Sequence, residues 1–132
     1  MTLICSFKCY VSDGGIDEIR RTYLEAQKQT KAKFFSRLKI LSQLDFEEWH
    51  ELLYKELHGD CVGLGEIRFF SDKVQQRPLG FRSGPKEFTI LFWAREKGNK
   101  FVPLNACRKA LERKAEVLKL KERSRALWLA LE

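Results

Sequence analysis

The chain has 132 residues, is 44% hydrophobic and 33% charged, and carries a net charge of +7. That is the length of one domain, read as a single unit over 1–132, and it is too apolar for a disordered chain. No apolar run approaches the roughly 20 residues of a membrane span. The opening MTLICSFKCY has Lys8 inside it, no basic leader and no clear cleavage site, so a cytoplasmic protein is expected.

Residues 2–11 are short and rich in β-formers, which predicts a first strand closed by Ser12-Asp13-Gly14-Gly15, with Asp13 as a cap. Apolar residues at Ile16, Ile19, Tyr23 and Ala26 then follow helical spacing, with Asp17 and Glu18 in the first turn. Phe34, Leu38 and Leu41 continue that stripe, with a break placed near Thr30. Asp45 and Glu48 form a capping-box pattern, and Phe46, Trp49, Leu53 and Leu57 predict another helix ending at His58-Gly59.

After Gly63 the period changes. GLGEIRFFS reads as a strand, Ser71-Asp72-Lys73 as a turn, and VQQRPLGFR as a second strand. Pro78 and Gly80 within it mark an edge, a bend or a bulge. EFTILFWAR is apolar on both faces, so it is expected to be the buried middle strand. Glu96 to Lys100 reads as a polar loop. Pro103 or Asn105 opens a last, highly charged helix. Helices and strands come in blocks, which predicts an α+β fold with a largely antiparallel sheet, N-terminal helices and a C-terminal helix.

Cys5, Cys9, Cys61 and Cys107 form no C-x-x-C pair, and buried free thiols are the expected state. The charge is unevenly spread. Residues 1–60 sum to −1, and residues 61–132 to +8. A basic half of this kind points to a polyanionic partner, set against a solvated surface that only aids solubility. No phosphate-loop, dinucleotide, zinc-protease, nucleophile-elbow or EF-hand pattern occurs, so no cofactor or metal is implied.

The series Gly63-Leu64-Gly65-Glu66-Ile67-Arg68, Gln76-Arg77-Pro78-Leu79-Gly80-Phe81, Phe92-Trp93-Ala94-Arg95-Glu96-Lys97 and the Pro103-led helix with Arg108 to Arg113 resembles the RelE/ParE toxin superfamily, and within it the phage-derived HigB-like branch. Pro78 stands where that branch usually has an aliphatic residue, and no His or Tyr follows Arg95. The resemblance implies a small, mostly antiparallel curved sheet flanked by helices, and a ribosome-dependent messenger-RNA endonuclease, metal-independent and cofactor-free, paired with a helix-turn-helix antitoxin in a type II toxin–antitoxin system. Other functions in view are a ParE-like gyrase inhibitor and a non-catalytic RNA- or protein-binding member.

The resemblance reaches Arg68, Arg77 and Arg95, which are the expected catalytic residues. Arg82, Lys97 and Lys100 are the expected nucleic-acid contacts, while Lys73 and Lys86 read as ordinary edge charges. Cleavage by an RNA 2′-OH needs orientation and charge stabilisation at phosphate, for which the planar donor fork of arginine is suited. Glu66 shares strand parity with Arg68 and is expected to pair with an arginine. Phe69, Phe70, Phe81, Phe92 and Trp93 could stack bases, but alternating strand burial puts most of them in the core, with Phe81 and Trp93 left open. Phe34, Phe35, Phe46, Trp49, Leu52, Leu53 and Tyr54 exceed one helical stripe, which predicts an exposed docking patch between residues 34 and 54.

Overall fold

A computed structural model describes residues 3–132; Thr2 of the expected first strand lies outside them. The chain starts with strand β1 (Ser6–Tyr10), followed by helices α1 (Glu18–Glu25) and α2 (Lys28–Ser42). Strands β2 (Tyr54–Glu56), β3 (Gly65–Ile67), β4 (Phe69–Ser71), β5 (Val74–Gly84), β6 (Glu87–Lys97) and β7 (Lys100–Val102) come next. Helix α3 (Ala106–Lys119) and strand β8 (Ser124–Ala126) end the series. No helix among the described residues is long and apolar enough to cross a membrane.

The fold is α+β, but the expected small, mostly antiparallel sheet is corrected. The sheet has eight strands in the order β2-β3-β5-β6-β1-β8, with β4 also on β5 and β7 also on β6. It is mixed, because β1 runs parallel to β6. After β1, α1 and α2 carry the chain across to the far edge at β2, and it steps back through β3 and β5 until β6 lies beside β1 in the same direction. The other additions come from short segments whose sequence reads as helix or loop. Residues 46–57 form only a single 3-10 turn with the expected capping box, and then turn into β2. Tyr54 pairs there with Ile67, so sheet pairing overrides the helical period.

The helices differ from expectation in smaller ways. Asp17, not Asp13, caps α1 by accepting from the Arg20 amide. The break falls between Glu25 and Lys28, which leaves Thr30 inside α2 with its hydroxyl 2.8 Å from that of Ser71.

Strand β6 is the middle strand, as its two-faced apolarity requires. Phe88 and Ile90 join Phe7, Ile19, Phe34, Leu38 and Leu41 under α1 and α2. Leu91 and Ala94 join Leu64, Leu79, Phe81, Ala106 and Ala110 under α3. Between Leu79 and Gly80 the β5–β6 register slips, so that Leu79 faces Phe92 and Gly80 faces Ile90. A Cβ at Gly80 would lie 2.3 Å from the Thr89 carbonyl oxygen, so the bulge tolerates only glycine. Pro78 sits just beside it, in the stretch of β5 between its pairing with β3 and its pairing with β4. That interruption accommodates a residue with no N–H in a central strand.

The expected docking patch is largely absent. Phe34, Trp49 and Tyr54 are buried, and Phe35, Phe46 and Leu53 pack against the same core. Trp49 alone touches Phe7, Phe46, Tyr54 and Phe88. Only Leu52 of the seven is largely exposed. The aromatics fill the space between α2, the 3-10 turn and the sheet instead of facing outward.

The cysteine expectation holds for buried Cys5 and Cys9 and fails for the other two, since Cys61 and Cys107 are disulfide-bonded with Cα atoms 5.3 Å apart. The turn after His58 meets the first turn of α3, a contact that spacing alone does not reveal. The bond spans 46 positions. A closed loop of that size stabilises by about 2–4 kcal/mol. Urea denaturation of the Cys61→Ser variant, or of the wild type under dithiothreitol, is expected to show a loss of that size.

Candidate nucleic-acid interface

Side chains on β5 and β6 alternate between the α1–α2 face and the α3 face. Arg77 pairs with Ala94 and Gln76 with Arg95 in the antiparallel register. Partners in register share a face, so Arg77 lies on the α3 face and Arg95 on the α1–α2 face. The expected catalytic trio is therefore divided by the sheet.

On the α3 face, Arg77 is 4% exposed. Its Nε donates to Glu96 Oε1 at 3.0 Å and lies 3.2 Å from Glu66 Oε2. Nη1 donates to the Gln76 carbonyl at 3.0 Å, and Nη2 to Gln75 Oε1 at 3.3 Å. All three nitrogens are thus engaged within the protein. Arg68 joins the cluster in the break between β3 and β4. Its Nε is 2.9 Å from Glu66 Oε2, without hydrogen-bond alignment, so the contact is ionic. Its Nη1 donates to the Glu51 carbonyl at 2.8 Å. Glu66 is the pairing carboxylate that strand parity suggested. It is 3% exposed, and burial raises its pKa although Arg77 and then Arg68 pull the other way.

The α1–α2 face is different. Gly98 and Asn99 both have positive φ and close a tight hairpin between β6 and β7. Lys97 pairs with Lys100 across it, and Arg95 with Val102. Arg95, Lys97 and Lys100 therefore lie on one face, and all three are exposed. Among the described residues, none of the three has a carboxylate within 4.0 Å. Arg82 is on the same face but about 20 Å along β5. There it approaches Glu56 at 3.5 Å and stacks over Phe46. His50 and His58 border the depression beside Arg82, away from the hairpin.

Of the two aromatics left open between core and stacking, Phe81 is buried under the Lys114 ammonium. Trp93 is partly open. One ring face stacks on Phe34 at 4.5 Å, and its Nε1 donates to Gln76 Oε1 at 2.9 Å. Gln76 is itself held by donating to the Ser71 carbonyl. Trp93 and Arg95 border a cleft of about 530 Å3, completed by Thr22, Glu25 and Gln27 at the α1–α2 junction and by Asp72 of the β4–β5 turn. Sequence reasoning missed those rim residues, because they come from three separated segments with no shared spacing. Among the described residues, no group of three His, Cys, Asp or Glu side chains is arranged to hold a metal.

The two arginines call for opposite responses to truncation. Arg77→Ala leaves Glu66 and Glu96 without their shared cation and is expected to cost about 3–5 kcal/mol in urea denaturation at neutral pH. Without Arg77, the Glu66 carboxyl is raised further above its unfolded value. Stability is then regained as pH falls through that raised value, so the deficit shrinks on acidification. Arg95→Ala, at an exposed site, is expected to stay within about 0.5 kcal/mol of wild type.

No family model matches this chain, and no curated protein or solved structure matches it.

Proposed function

We propose that the chain is the toxin of a type II toxin–antitoxin pair, a messenger-RNA endonuclease that works on the ribosome in the cytoplasm and is neutralised by a helix-turn-helix antitoxin. The motif series from Gly63 to the basic helix supports the toxin reading, and the +8 of residues 61–132 supports a polyanionic substrate. The observation that carries the RNA contact is the group Arg95, Lys97 and Lys100, which share one face and, among the described residues, have no carboxylate within 4.0 Å. Free cations on an exposed hairpin attract a phosphodiester backbone and release its counterions. An antitoxin that covers this hairpin would need acidic residues where it meets these cations.

A specific observation favours a second reading, a member of the same superfamily that binds RNA without cutting it. Arg77 has spent its donors on Glu66, Glu96 and neighbouring oxygens, and no His or Tyr lies beyond Arg95. In this reading the Arg77 cluster supports the sheet, and the hairpin binds.

Two measurements separate these outcomes. Tightly induced expression alone is expected to arrest growth and translation and to leave cut messenger on ribosomes. Healthy growth with abundant folded protein, together with intact RNA binding, would favour the non-cleaving reading. For binding itself, each phosphate contact to a single strand contributes about 0.7 to the salt slope. The triple variant Arg95→Ala, Lys97→Ala, Lys100→Ala is expected to lower that slope by about 2. Lys86→Ala, at the opposite end of the sheet, is expected to leave it unchanged. Equal effects of the two would refute the hairpin as the contact.

A further inference from the structure

We propose that the cleft beside Arg95 takes one nucleotide of single-stranded RNA, with the base against Trp93 and the phosphate on the Arg95 guanidinium. The proposal rests on the RNA-binding reading above and adds a defined subsite to it. Volume is the first argument. About 530 Å3 falls within the roughly 300–1,000 Å3 of small-molecule sites.

Rigidity is the second. Trp93 is fixed by its stack on Phe34 and its hydrogen bond to Gln76, and Gln76 is 5% exposed and anchored to the Ser71 carbonyl. An aromatic held this way loses little freedom on binding, which favours stacking by a flat, unpaired base.

Chemistry is the third. Arg95 reaches the cleft with no carboxylate within 4.0 Å among the described residues, whereas Arg77, on the neighbouring strand, is already neutralised. A planar guanidinium without a partner suits a phosphate. Around it, Thr22 and Gln27 offer both donors and acceptors, and the Glu25 and Asp72 carboxylates offer acceptors for ribose hydroxyls and base N–H groups. Those two carboxylates disfavour a bare anion. They favour a ligand that sets ribose hydroxyls and base N–H groups against them while its phosphate stays on Arg95, which a nucleotide does and inorganic phosphate, with no ribose or base, does not.

The chain has three tryptophans, Trp49, Trp93 and Trp128, so the indole N–H region of a 15N-correlation spectrum reads the site directly. Trp49 is an internal control, buried with its Nε1 donating to the Leu41 carbonyl. The folded full chain would be titrated with adenosine 3′-monophosphate, uridine 3′-monophosphate, the free nucleosides, inorganic phosphate and a short oligoribonucleotide. The Trp93 signal would be assigned from Trp93→Phe. The expected result is a saturable shift of the Trp93 resonance with the monophosphates and the oligonucleotide, and a still Trp49. Arg95→Gln is expected to weaken that binding by at least about tenfold, the loss of a charge-assisted contact. Inorganic phosphate binding as tightly as the monophosphates would overturn the proposal in favour of a simple anion attractor. Nucleosides binding as tightly would overturn the role of Arg95, and so would an unchanged Arg95→Gln. An oligonucleotide that moves hairpin resonances but not Trp93 would overturn the cleft and leave the RNA-binding reading standing. A Trp93 shift in a protein that cuts no ribosome-bound messenger would remove the nuclease reading and leave the cleft standing.

Discussion

Strand β6 has no solvent face to spend, and the arrangement of the rest follows from covering it twice. Phe88 and Ile90 face α1 and α2, while Leu91 and Ala94 face α3. Each apolar face left in water would forfeit roughly 25 cal/mol for every Å2 that could have been buried. A strand of this kind can only be internal, so β5 flanks it on one side and β1 on the other. The parallel β1 neighbour requires a long connection across the sheet, and α1 with α2 begins it, leading to β2 at the far edge while covering one face. The bulge at Gly80 lets both faces keep their apolar partners while β5 and β6 change register.

The same two-residue alternation determines which charges meet. Arg77 and Arg95 lie on adjacent strands and one register position apart, yet they have opposite electrostatic surroundings. Arg77 is enclosed with Glu66 and Glu96, where loss of water must be offset by ion pairing and hydrogen bonds. The balance is incomplete for Glu66, whose pKa is raised by burial despite two adjacent guanidinium groups. Arg95 is exposed and, among the described residues, has no carboxylate within 4.0 Å. A buried, matched cation holds structure, whereas an exposed, unmatched one attracts ligands. The functional weight therefore shifts from Arg77 towards the β6–β7 hairpin.

Burial of the aromatics in the helical half has a comparable logic. Trp49 and Tyr54 look surplus when counted on a helical wheel, because one stripe cannot hide them. Once residues 50–56 leave the helical path and enter the sheet edge, Trp49 packs on Phe7 and Phe88, and Tyr54 packs on Trp49 and Phe88. The apparent surplus was a consequence of assuming the wrong secondary structure. The Cys61–Cys107 bond belongs to the opposite, α3-side cluster, where a turn after β2 meets the start of α3.

Local pattern alone determined a good part of this protein. The β1 segment, the α2 stripe at Phe34, Leu38 and Leu41, the central place of β6, the turn at Asp72-Lys73 and the last helix all follow from period, propensity and turn chemistry within a dozen residues. The Glu66–Arg68 pairing was legible for the same reason, the two being two residues apart in what the sequence predicts as one strand, although Arg68 falls in the break between β3 and β4. What only the tertiary structure decided depends on contacts between distant segments. These are the parallel β1–β6 pairing, the short strands β2, β7 and β8, the disulfide, the separation of Arg77 from Arg95, and the Trp93 cleft. Three-residue strands carry too little periodicity to be told from loop or helix, and they exist because a longer neighbour offers them hydrogen bonds. The cleft draws its rim from the α1–α2 junction, a β-turn and β6, so no window of sequence contains it.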